Sequence, residues 1–344
     1  MRRSGFVLAF LAIYVIWGST YFAIRVAVES IPPLAMMGVR CLAAGAILFA
    51  WSRRAAVTLD AAAWRAAFVA GGLLFLLSHG SLAWAEQGVP SGVAALLGAT
   101  TPLWLALIDW RWGTGHVPGW YGRAGLAVGF AGVALLVAPE WGTSHTGTAV
   151  PSIAVVGASL AWAAGSVYGR GAALPRDVRL STAIQLLAGA VWLAAASLAT
   201  GEWRGFSHTR VTAASAAALV YLVVFGSVIA FTAYVWLMRT TTASVVGTHA
   251  YVNPIVAVAL GALVGGERFT LMTIVSAITI VGGVILVLVD RRASAALSTP
   301  PAPEETRAVP RQTSDFRLPT CRFVRSVRLQ PDREGPPEGG HYIR

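Results

Sequence analysis

Within the run from Trp236 to Arg268, WLMRTTTASVVGTHAYVNPIVAVALGALVGGER, His249, Asn253 and Pro254 stand in an otherwise apolar stretch. A proline inside an apolar helix removes one backbone hydrogen bond and leaves a carbonyl that lipid cannot satisfy, whereas a neighbouring helix or a water-filled cavity can. The asparagine before it can cap that carbonyl or meet a solute. His249 lies one helical turn before Asn253, on the same face, and an unperturbed imidazole takes up a proton near neutral pH. The chemistry within reach is recognition of a solute by hydrogen bonding, with proton coupling through His249 as a separate expectation. A packing kink and a satisfied interior histidine are the plainer readings of the same residues.

The helices that must position this group occur twice. Trp84 to Asp109, WAEQGVPSGVAALLGATTPLWLALID, matches the first run at a spacing of 152 residues, so that Trp84 falls on Trp236 and Thr101-Pro102 mirrors Asn253-Pro254. Trp17 to Arg25, WGSTYFAIR, matches Trp162 to Arg170, WAAGSVYGR, at a spacing of 145, which also carries Arg40 onto Gln185. Gly132 to Leu135 lies on Gly283 to Leu286 at 151. A spacing that drifts only by loop-sized insertions is the trace of a duplication. His249 falls on Leu97, so chemical specificity is expected more in the later copy than in the earlier one.

Composition places these helices in a membrane. Hydrophobic residues make up 56% of the chain and charged residues 12%, with a mean hydropathy of +0.66, whereas about a quarter of a soluble domain is charged. No residue is Lys, and the 26 basic residues, giving a formal charge of +11, are all Arg. They gather in short loops and a tail, as cytoplasmic membrane flanks do, and no basic folded domain remains to bind nucleic acid. Cys41 and Cys321 supply neither a disulfide framework nor metal-ligand spacing. No catalytic set, metal or cofactor is expected. The basic start and apolar run from Phe6 continue past Trp17 without a small-residue cleavage site, and read as a first span.

A span needs about 20 apolar residues. That criterion predicts an all-α membrane protein of ten transmembrane helices at 6–28, 34–51, 65–84, 91–109, 119–138, 151–168, 181–199, 213–236, 244–264 and 270–289. The halves are 6–138 and 151–289. Five spans per half, an odd number, force the second half to be inverted relative to the first, an organisation found in transporters. Arginine placement predicts both termini on the cytoplasmic side. Residues 293–344, rich in Pro, Arg, Glu and Gly, are expected to form a disordered cytoplasmic tail.

Other candidates follow from residue type. His79, in the third span, has Phe231 as its repeat equivalent, which suggests a task specific to one half. Arg40 in the second span must face protein or water or snorkel to the interface. Gln185 suits a packing or cavity hydrogen bond. Tyr21 and Tyr251 are the preferred aromatic members of a cavity, whereas Trp17, Trp84, Trp162 and Trp236 fit an interfacial belt equally well. Glu86 reads as a solvated loop carboxylate, and Glu267 as a structural or gating one. Gly71, Gly72, Gly129, Gly132, Gly282 and Gly283 are expected to permit close helix approach. The solute-binding set is thus Tyr21, His79, Thr101, Pro102, Gln185, His249, Tyr251, Asn253 and Pro254.

The WGSTYF opening, Arg40, WAEQGVPSGVAALLGATTPLW, Tyr-Val-Asn-Pro at 251–254 and Gly-Gly-Glu at 265–267 resemble the EamA branch of the drug/metabolite transporter superfamily over about residues 6–289. The resemblance implies a ten-helix inner-membrane carrier with a central cavity between two inverted repeats. It further implies that the third, fourth, eighth and ninth helices form most of the wall, and that the cargo is a small metabolite, amino acid or drug, mostly exported. Its partners would be that solute, the lipid bilayer and, in some members, protons; oligomeric state is left open. A lipid-modifying membrane enzyme and a non-transporting sensor with a signalling tail are the alternatives. The first lacks an interfacial cluster of His, Asp and Glu.

Overall fold

The computed structural model describes residues 3–52, 59–112, 118–141, 149–204, 206–241 and 243–298. Among them, nine helices are long and apolar enough to cross a membrane: α1 Ser4–Val28, α2 Pro33–Ser52, α3 Ala61–Ala85, α4 Ser91–Ile108, α5 Trp120–Val137, α6 Ala149–Gly171, α7 Val178–Thr200, α8 Ala213–Thr240 and, last in the chain, α10 Leu271–Asp290. The remaining helix, α9 His249–Leu263, is shorter. A span is expected over 244–264, but the chain forms one turn at Ala243–Val246 and breaks before His249. Thr248 holds the break, its hydroxyl 2.6 Å from both the Val245 carbonyl and the Tyr14 hydroxyl. α10 continues as helix to Ser298, so its end overlaps the stretch expected to be tail. The tail from Thr299 onward lies outside the described residues, as do Arg2, Arg53 and Arg54.

Helix ends are fixed by side chains. Asp60, Asp177 and Thr212 accept from the backbone N–H three residues on and start α3, α7 and α8, satisfying donors that a helix leaves open. Three other starts are capped from a distant element. Glu202 accepts from Leu34 N and Ala35 N at α2, Glu267 from Ser91 N and Gly92 N at α4, and Asp290 from Gly119 N just before α5. These carboxylates neutralise the positive ends of the helices while joining elements that are remote in sequence.

The packing follows the duplication. α5 lies along α10, α2 along α7 and α4 along α9. α1 packs on α8 and α9 as α6 packs on α3 and α4, and α2 meets α8 as α7 meets α3. Exchanging each helix with its counterpart five places on therefore returns these same pairs. Glycines set the closest approaches. A Cβ on Gly125 would lie 2.6 Å from the Gly283 carbonyl, and one on Gly71 would lie 2.7 Å from Gly189 N. Gly129, Gly132 and Gly283 are equally crowded, Gly72 meets only the Trp192 indole, and Gly282 faces open space. Gly282 thus departs from the expectation of close approach.

Three helices widen locally into π turns, at Ala12–Ile16 in α1, Gly72–Gly80 in α3 and Leu222–Phe231 in α8. A π turn leaves a carbonyl without its usual partner and is frequent at functional sites. All three lie beside the centre of the bundle, where the next residues gather.

Candidate functional site

A cavity of about 80 Å³ lies between the two halves, walled by α1, α3, α4, α6 and α9. Its aromatic frame is built from Trp17 and Trp162, whose rings meet edge to face with centroids 5.5 Å apart. Tyr234 packs against both, at 4.9 and 5.3 Å. His249 stands perpendicular to Trp17 at 5.3 Å, and His79 lies 5.1 Å from Trp162. The Trp17 indole N–H donates to the Gly226 carbonyl in the π segment of α8 at 3.2 Å, which fixes the ring. No Asp, Glu, Lys or Arg side chain is among the residues lining this cavity; Thr20, Ser78, Thr101 and Ser159 provide hydroxyls.

Of the nine residues expected to bind solute, Tyr21, His79, Thr101, His249, Asn253 and Pro254 line this cavity. Asn253 is buried, and its surroundings fix which way the amide points. Its nitrogen donates towards the backbone carbonyls of Ile13, Tyr14 and His249, each at 3.1 Å. Ile13 and Tyr14 belong to the π turn of α1, so Asn253 fills a backbone vacancy in the neighbouring helix and ties α9 to α1. Thr101 does the corresponding work within α4. Its hydroxyl donates to the Gly98 carbonyl at 2.9 Å, the acceptor left by the missing N–H of Pro102.

His79 Nδ1 donates to the Leu74 carbonyl, five residues back, at 2.7 Å. A carbonyl only accepts, so Nδ1 carries a proton in this contact, and in the neutral ring Nε2 is then the acceptor. Arg40 does not snorkel. It is 4% exposed, and its Nε donates to Ser227 Oγ at 2.7 Å, bracing α2 against the π segment of α8. Gln185, its repeat partner, donates to the Ser181 carbonyl at 3.0 Å.

Three of the nine residues lie elsewhere. Pro102 is buried but is not among the residues lining the cavity. Tyr251 packs against the cluster of Leu103, Ala106, Leu126, Val284 and Val287 and donates its hydroxyl to the Val284 carbonyl at 3.2 Å, because two residues from both His249 and Asn253 is the opposite helix face. Gln185 lines a second, larger chamber of about 550 Å³ at the face that bears the N-terminus, with Arg170, Arg176, Arg239, Met238 and Tyr234. A hydrogen bond of 2.7 Å between Ser166 and Tyr234 stands between chamber and cavity. Trp17 and Trp162, which by sequence fit a belt equally well, thus belong to the site, as does Tyr234, which sequence pattern does not single out. The signal that would have found the tryptophans is their equivalence in the repeat.

At the far face the route is shut. α1 packs closely on α3 and α4, whereas the backbone of the equivalent α6 makes no comparable approach to α8 or α9. Ile24 and Leu82 cover the cavity. Beyond them Arg25 donates to the Glu86 carbonyl, and Glu267 accepts from Ser91 N at 2.7 Å and Ser91 Oγ at 2.8 Å. Glu86 is fully buried, contrary to its expected place as a solvated loop residue. Burial pushes its carboxyl well above the usual carboxylate range; nearby Arg25 draws it down and Glu267 raises it further.

Two separate stretches, 3–138 and 150–289, each match the model of the EamA-like transporter family. The chain belongs to that family. It is 39% identical to the uncharacterized inner membrane transporter YedA of Escherichia coli (strain K12) over 289 residues, spanning 82% of this chain and 90% of that protein. The uncharacterized transporter YvbV of Bacillus subtilis (strain 168) is 27% identical over 86% of this chain and 94% of its own length. One solved crystal structure shares the fold, with a TM-score of 0.61 at 23% identity, over 85% of this chain and 99% of that one. The chain is therefore a multi-pass membrane protein of a transporter family, and the two matched stretches coincide with the duplicated halves.

Proposed function

We propose that this protein is a secondary transporter that exports small organic solutes, such as amino acids, metabolites or amphipathic drugs, across the inner membrane by alternating access, with both termini in the cytoplasm. The observation that carries this reading is the unequal use of equivalent helices. In one half α1 lies against α3 and α4 and shuts the far face, while in the other half α6 stands off from α8 and α9 and leaves the 550 Å³ chamber. Because the halves are inverted copies, exchanging these two arrangements closes the chamber and opens the far face. Such an exchange moves the protein around a fixed central site.

The central site favours a partly apolar solute. Trp17 and Trp162 offer ring faces and edges, with Tyr234 packed against both on the chamber side; His79 and His249 offer ring nitrogens, and hydroxyls supply further hydrogen bonds. At about 80 Å³ the cavity is smaller than the roughly 300–1,000 Å³ of ligand pockets, so the solute binds as the aromatic frame spreads towards the chamber. The inner-membrane relative YedA and the position of the arginines support the placement. The deciding experiment is solute flux in proteoliposomes, begun with a thermal-shift screen of metabolites and continued by counterflow on the hits. Flux that saturates, with a KM raised in Trp162→Phe, supports the reading; no flux with any amino acid, metabolite or amphipathic drug sinks it.

A further inference from the structure

Glu86 follows the last residue of α3 at the far face. It is fully buried, and neither carboxyl oxygen has a hydrogen-bond partner. An ionised carboxylate left in this state would carry a large desolvation cost. The groups that face it do not remove that cost. Arg25, from α1, gives its N–H to the Glu86 backbone carbonyl and not to the carboxylate. Glu267, from the turn between α9 and α10, brings a second negative charge, itself held by Ser91 and Gly92. Tyr21, also from α1, is the remaining titratable neighbour. Arg25 and Glu267 are the charged side chains that act on Glu86 among the described residues.

We infer that Glu86 is a proton-binding site of the far-face gate, holding one proton while the gate is closed and exchanging it with the far-side solution when the gate opens. This rests on the alternating-access reading for the existence of an opening gate. Opening parts α1 from α3 and α4 and so releases the Arg25–Glu86 contact, and that parting admits water to Glu86. The hydrated carboxyl then ionises in its ordinary range. The repeat adds an independent argument: the equivalent of Glu86 is Met238, which lines the open chamber. The gate at the N-terminal face thus closes over an apolar side chain, and only the far gate takes up a proton.

The sign follows from which state binds more protons. Closed-gate Glu86 holds its proton to a pH well above the ordinary carboxylate value of about 4.3, so acid favours closure and alkali favours opening. Between the open-state and closed-state values, the ratio of open to closed gates rises by up to about tenfold per pH unit.

The test needs no solute. Val89 is buried behind the gate while Gln87 beside it is exposed. Val89→Cys and Gln87→Cys are each placed in a Cys321→Ser background, with Cys41 buried, and the proteins are labelled in nanodiscs with a hydrophilic maleimide between roughly pH 5 and 9. The ratio of the two rates removes the pH dependence of the thiol. That ratio is expected to rise by up to about tenfold per pH unit in the parent, and to stay low and flat in Glu86→Gln. An unchanged profile in Glu86→Gln overturns the proposal while leaving alternating access intact. Labelling of Gln87 but never of Val89, at any pH, sinks the gate and the proton site together. Should Glu86→Gln fail to fold, infrared titration of the parent decides. A protonated carboxyl band that persists at neutral pH and disappears with alkali is required, and its absence overturns the proposal.

Discussion

Trp17 and Trp162 occupy equivalent positions in the two repeats, and their indoles meet edge to face, 5.5 Å apart at 84°. A duplication that inverts one copy brings equivalent residues together only near its pseudo-symmetry axis. This contact therefore marks where the halves meet, and the cavity lies beside it.

Truncating either ring should injure both fold and function. Each is 8% exposed, so Trp17→Ala or Trp162→Ala is expected to cost about 3–5 kcal/mol, while replacement by Phe retains most of the stability. A double-mutant cycle should give a coupling of about 0.5–1.5 kcal/mol for the aromatic pair. Thermal unfolding in detergent reads the stability. Counterflow reads the second effect, a raised KM for the solute in Trp17→Phe and Trp162→Phe.

Asn253 offers a sharper test because its neighbours are carbonyls. Asn253→Leu leaves the Ile13 and Tyr14 carbonyls unpaired and should cost about 1–3 kcal/mol. Asn253→Asp keeps the shape but replaces the donating amide with an acceptor, and should be at least as damaging. An Asp variant as stable as the parent would show that the amide is turned the other way and does not bridge α9 to α1.

These two cases show what the sequence could and could not reveal. Span number, duplication and inversion were legible because apolar length and repeat spacing survive in one dimension. The coincidence of Asn253, His249 and Thr101 in one cavity was legible too, since helical periodicity and the repeat both place them. What the spacing hid was direction and partner. Tyr251 is adjacent in number but opposite in azimuth, and Gln185 faces the chamber because α7 meets the cavity wall from behind. Glu86 looked solvated because it follows a span in a polar turn; its burial depends on α1 and the α9–α10 turn folding over it, which no local pattern records. The π turns that give Asn253 and Arg40 their partners leave no clear mark in composition.

Glycine substitutions separate packing from composition within one dipeptide. A Cβ at Gly283 would collide with the backbone of Gly129 and Gly125 in α5, whereas one at Gly282 meets nothing within 4 Å. Gly283→Ala is expected to cost about 1–3 kcal/mol through forced separation of α5 and α10. Gly282→Ala should be neutral or slightly stabilising, since Ala is the better helix former. Parallel melting curves of the two variants check this, and equal losses would contradict the α5–α10 interface.

The most demanding prediction concerns the gate at the N-terminal face. Arg25 closes the far face by donating to the Glu86 carbonyl. Its repeat equivalent is Arg170, and that of Glu86 is Met238; both line the open chamber. If the halves exchange arrangements, Arg170 should donate to the Met238 carbonyl in the other state while Arg25 releases Glu86. Arg25→Ala should then favour the far-open state and Arg170→Ala the chamber-open one, shifting accessibility of Val89→Cys in opposite directions. The loss of a charge-assisted hydrogen bond of about 1.5–3 kcal/mol corresponds to roughly a 10- to 150-fold change in the gate equilibrium. Arg170→Cys with Met238→Cys should cross-link most readily under conditions that label Val89→Cys. Shifts of the same sign in the two arginine variants would rule out the exchange, because equivalent latches on opposite faces cannot favour the same state.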